Sequence, residues 1–138
     1  MTDLSAILEQ AGDAIIFADR DGVVRTWNAA AARVFGFTAE ETLGKAMDMI
    51  IPEKLRVAHW RGYRHAMETG ELRLAGKPTL TRGLHKSGAR LYVEMTFAVV
   101  CDRDGRAVGS VAIARDVTWR ELEARAAAPA PRPRTSAD

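Results

Sequence analysis

The 138 residues carry 20 Lys/Arg against 18 Asp/Glu, a net charge of +2, with 47% hydrophobic and 28% charged residues; this is the make-up of one soluble globular domain, long enough to bury about two-thirds of its unfolded surface without staples. No apolar run approaches the roughly 20 residues of a membrane span, and the opening MTDLSAILEQ lacks the basic region of a secretory signal. The single cysteine, Cys101, excludes an intrachain disulfide and fits a reducing, cytoplasmic compartment.

In chain order, Asp3 or Ser5 caps a short opening helix with Leu4, Ile7 and Leu8 on its apolar side. AIIFAD, from Ala14, reads as a strand, DRDG (19–22) as a turn and VVRTW as the returning strand of a hairpin. Asn28 is placed to cap the helix AAAARVFG, which Gly36 ends. Thr38, with Glu41 three residues on, is the capping box of another short helix that closes near Gly44. Pro52 and Glu53 open a longer helix ended by Thr69-Gly70; its period puts His59, Tyr63, Ala66 and Met67 on one side.

After a loop with Gly76 and Pro78 come the strand TLTRGL, the turn HKSG and the strand RLYVEMTFAVV. The last alternates Leu91, Val93, Met95, Phe97 and Val99 on one face with Tyr92, Glu94 and Thr96 on the other. DRDG (102–105) turns into AVGSVAIARDV, and Thr118 with Glu121 reads as a capping box for WRELEARAAA. Helices grouped between runs of antiparallel strands predict an α+β domain with one sheet face packed on the helices.

The residues DAIIFADRDGVVRTWNAAAARVFGFTAEETLGK, then IIPE, then HKSG and GSVAIARDVT, in that order and spacing, resemble a PAS domain over nearly all of residues 3–128. The resemblance implies the PAS fold: a five-stranded antiparallel sheet with short helices on one face and flanking N- and C-terminal helices. It predicts a flanking helix over 1–12, a core over 13–118 and a second flanking helix over 119–128, while the Pro/Ala-rich, charged composition of 129–138 predicts a disordered tail. It also implies a sensory or dimerisation role. The partners expected are a second copy of the chain and an effector in trans (a kinase, a cyclase or a regulator of transcription).

The helix beginning PEKLRVAH resembles that of heme-binding oxygen-sensor PAS kinases, and this places the candidate iron ligand on His59. Heme b is the cofactor implied, with Tyr63, Met67 and Phe97 packing on it and Met95 as a possible sixth ligand. Nine Lys/Arg against two acids between Lys54 and Arg90 could meet its propionates or another anion, or form only a solvated face. The position of the gas-binding arginine in those sensors is Thr79 here. One hydroxyl cannot supply a guanidinium's charged hydrogen bonds, so a redox or carbon monoxide sensor suits these residues better.

Each of these residues also has a plainer reading. Met95, Phe97 and Trp27 are by default core, and Trp60 is core or the flank of a pocket entrance. Asn28 is a helix cap, His65 an exposed residue on another side of its helix, His85 a solvated turn residue and Cys101 a buried or edge thiol. No helix holds a cysteine, which excludes the covalent flavin photochemistry of light-sensing relatives though not a non-covalent flavin. There is no phosphate loop, nucleophile elbow or paired base, so no enzyme is expected, and no motif suggests direct contact with nucleic acid.

Overall fold

The computed structural model describes residues 3–72 and 76–128. Helix α1 (Leu4–Gln10) leads into β1 (Ala14–Asp19) and β2 (Val24–Trp27). Helices α2 (Ala29–Phe35) and α3 (Ala39–Thr42), a 3-10 turn at Met47–Ile50 and α4 (Glu53–Thr69) follow. Strands β3 (Thr79–Leu84), β4 (Arg90–Cys101) and β5 (Ala107–Asp116) then precede α5 (Thr118–Ala127). The sheet is antiparallel throughout, in the order β2-β1-β5-β4-β3, so β3 is an edge and the first and last strands meet in the middle.

Alternation assigns the faces. Ala14, Ile16 and Ala18 of β1 and Leu91, Val93 and Met95 of β4 are buried, whereas their neighbours in sequence are half-covered or, at Arg90, exposed. The buried face meets Trp27, Ala31 and Phe35 from the α2 region and Tyr63, Ala66 and Met67 from α4 in one core. Helix α4 shows the period read from the sequence, since those three residues are its buried side.

Local signals largely hold. Asn28 caps α2, which ends on Gly36 at φ 79°. At α3, Thr38 Oγ1 accepts from the Glu41 N–H while Glu41 accepts from the Thr38 N–H, a complete capping box. The expected box at α5 does not form. That helix already begins at Thr118, and Val117 at its N-cap makes no side-chain cap bond. The Thr118 hydroxyl instead accepts from the Tyr92 N–H of β4 at 2.9 Å, because pairing with β5 ends at Val93–Asp116 and leaves that donor without a strand partner.

Two further expectations change. Cys101 is exposed, where pairing with β5 shifts register beyond Val100. His85 is half-buried: its ring lies over Gly36, in the space a side chain there would need, while His65 is exposed as read. Helix α5 covers part of the outer sheet face through Arg120–Glu94 and through Arg125, whose guanidinium stands 4.9 Å from the Tyr92 ring centre. The proposed tail, 129–138, lies outside the described residues.

Candidate functional site

A cavity of about 280 Å³ lies between α4 and the sheet. Its floor is Ile16, Phe35, Val93 and Ala112, all buried, and its walls are almost wholly apolar. Of the residues singled out in the sequence, His59, Tyr63, Met67, Met95 and Phe97 line it together. Thr79 does not. It pairs with Met95 across the sheet, but its hydroxyl turns to the Lys77 carbonyl at 3.2 Å, and Thr81, one pleat further in, takes the place at the wall.

Helix α4 fixes the site's polar end. His59 is half-buried, and its Nδ1 is shielded from solvent with no hydrogen-bond partner. Burial holds its pKa below the ordinary imidazole value, against the opposing pull of the Asp48 carboxylate, so the ring is neutral at pH 7. A neutral, unpartnered imidazole nitrogen at an apolar cavity is a metal ligand or a hydrogen-bonding group without its partner.

The neighbours of His59 are held rigidly. The Trp60 ring stands edge-on to it at 4.7 Å and donates Nε1–H to Asp48 Oδ1 at 2.6 Å. That indole fills the space a side chain on Gly22 would occupy, and Gly22 has φ 80°, so only glycine fits there. Tyr63 stacks on His59 at 5.9 Å, and its hydroxyl points at the carbonyls of Ala18 and Asp19. Sequence reading missed Thr81 and the Asp48 contact; the second joins residues twelve apart that share no periodic pattern.

The matching family model is described as a PAS fold and covers residues 8–122. The chain belongs to the PAS family. As a PAS domain it is 30% identical over 111 residues to the oxygen sensor protein DosP of Escherichia coli (strain K12), covering 80% of this chain and 14% of that one. It is 28% identical over 95 residues to the sensor protein FixL of Bradyrhizobium diazoefficiens, covering 69% and 19% respectively. The domain thus spans less than a fifth of either relative. The PAS domain of a protein from Colwellia psychrerythraea superposes with a TM-score of 0.73 at 22% identity, over 85% of this chain and 96% of that one.

Heme can be tested against this PAS cavity. Its donor set fits: an unpaired neutral imidazole, the thioether of Met95 in the same cavity and apolar walls. Its volume lies just below the roughly 300–1,000 Å³ of ligand pockets, so a porphyrin requires the cavity to widen. Among the described residues no group of three His, Cys, Asp or Glu could hold a bare metal ion, and no helix is long and apolar enough to cross a membrane.

Proposed function

We propose that this PAS domain is a sensory module whose cavity takes a small ligand, with heme b the first candidate and His59 the iron ligand. The observation that carries the reading is the buried, unpartnered Nδ1 of His59 at the edge of an apolar cavity. Tyr63, Met67 and Phe97 would pack on the ring, and Met95 would be the sixth ligand. Bound heme would supply a redox-active iron able to take diatomic gases. Similarity to an oxygen sensor supports the cofactor, while Thr79, turned to the Lys77 carbonyl, lends nothing to gas binding. A redox or carbon monoxide signal is the better match.

The test is a visible spectrum. Expressed with heme precursor, the parent should show an intense Soret band that His59→Ala loses or shifts. A colourless parent that takes up no added hemin would remove heme from the account.

A second reading, a ligand-free module for dimerisation or docking, draws on the flanking helices. Leu4 and Ile7 of α1 and Trp119 and Leu122 of α5 are exposed. Ala14 pairs with Ala114, so both helices leave the sheet at the same end and their apolar sides can share one partner. A second copy of the domain is the proposed occupant, with an effector kinase, cyclase or transcription regulator acting in trans. Sedimentation equilibrium should give a dimer that Trp119→Glu weakens about tenfold or more; a parent that stays monomeric at all concentrations would discard it.

A further inference from the structure

Exposure around the cavity is lopsided. Ile16, Phe35 and Val93 at its floor are nearly inaccessible, while Leu55, Ala58 and Gly62 line it and are also exposed. These three recur along one side of α4, and the facing wall is Thr81–Gly83 of the edge strand β3. Helix α4 packs chiefly on β5, two strands away from that edge. Among the described residues, the cavity therefore opens between α4 and β3.

Gly62 stands at this mouth and has no structural reason to be glycine. It sits well inside a 17-residue helix, where glycine costs about 1 kcal/mol relative to alanine. It has no positive φ, and a Cβ built on it would meet no atom of the described residues within 4 Å beyond its chain neighbours and its own helix backbone. The helix thus carries here a glycine that no close contact requires, with open space where a side chain would stand, beside the cavity that Gly62 lines. The space lies three residues beyond His59, on the side of α4 where the cavity-lining residues are exposed.

We infer that Gly62, with Ala58 one turn before it, forms the sill of the ligand's entry route, and that side-chain size at position 62 sets what can pass. The inference rests on the cavity being a ligand site but not on the ligand being heme. The cavity must widen for a porphyrin, and the α4–β3 side is where it can do so without parting a packed interface. A leucine at 62 would lay a branched side chain across the mouth; an alanine would strengthen the helix without obstructing it.

The test needs no ligand. In a Cys101→Ser background, Ala112→Cys places a thiol on the cavity floor, and its modification rate by thiol reagents of increasing bulk reports access. Adding Gly62→Leu should slow labelling about tenfold, more for bulkier reagents, while Gly62→Ala should leave the rate close to that of the parent. Because Gly62→Ala raises helix stability at least as much as leucine does, equal slowing by both would mean that reagents enter by unfolding, and would overturn the inference. No slowing by leucine would place the route elsewhere. Hemin association measured on the same variants separates the two claims: absence of uptake by the parent refutes the cofactor and leaves the labelling result standing.

Discussion

Replacing Asn28 by alanine is expected to destabilise the domain by about 3 kcal/mol or more, beyond the ~0.5–2 kcal/mol of losing a helix cap. Asn28 is buried and all its side-chain hydrogen-bonding groups are engaged. Its Oδ1 accepts from the N–H groups of Ala31 (3.0 Å) and Ile15 (2.9 Å), and its Nδ2 donates to the carbonyls of Leu8 (2.8 Å) and Asp13 (3.0 Å). One residue thus starts α2, completes β1 and ties down the end of α1, a helix that buries no residue of its own. Truncation leaves several partly buried backbone groups unpaired, at about 1–3 kcal/mol each where water cannot reach them. Urea unfolding with an unchanged m-value is the measurement. Asn28→Asp is the companion variant: it keeps both acceptor bonds but turns a carboxylate on the two carbonyls, so it too should lose stability, with α1 exposed to proteolysis. A loss below about 1 kcal/mol in both would refute the network.

Phe35→Ala should cost about 3–5 kcal/mol, the range for an aromatic removed from a core. The ring is 1% exposed, meets Trp27 at 5.7 Å between centroids and crowds the space over Gly83. Against a total of ~5–15 kcal/mol for a natural domain, such a loss lowers the melting temperature by roughly 10 °C or more without abolishing the fold. The ring is also part of the cavity floor, so the variant enlarges the cavity and should gain affinity for a small apolar molecule such as benzene. Added benzene should then restore part of the lost stability by binding only the folded state, and should do less for the parent. A variant that benzene stabilises no more than the parent would mean that the floor had collapsed.

What the sequence made legible is what repeats or is local. Alternation in RLYVEMTFAVV gave the inner face of β4, the helical period gave the side of α4 that carries His59, Tyr63 and Met67, and Thr38 with Glu41 marked a helix start. What escaped depends on partners far apart in the chain. Asn28 announced a cap, but its bonds to Leu8, Asp13 and Ile15 exist only once α1 and β1 are folded against α2. Thr79 and Thr81 share a face of β3, and only the pairing of Thr79 with Met95 and of Thr81 with Val93 decides which of them reaches the cavity. The Thr118 hydroxyl fitted a capping box by spacing, yet a strand amide from a residue 26 positions away claims it.

Helix α4 is fastened along one long edge. Trp60 rests on Gly22 and bonds Asp48, Tyr63 reaches the carbonyls of Ala18 and Asp19, and Arg20 bonds the Met67 carbonyl at 3.0 Å. All of these anchors but Asp48 lie between Ala18 and Gly22, at the first hairpin. The helix is built like a door with its pins on that hairpin and its free side toward the edge strand. A push on the helix from within would load those pins first, and they sit at the end of β1, the strand that follows the N-terminal helix.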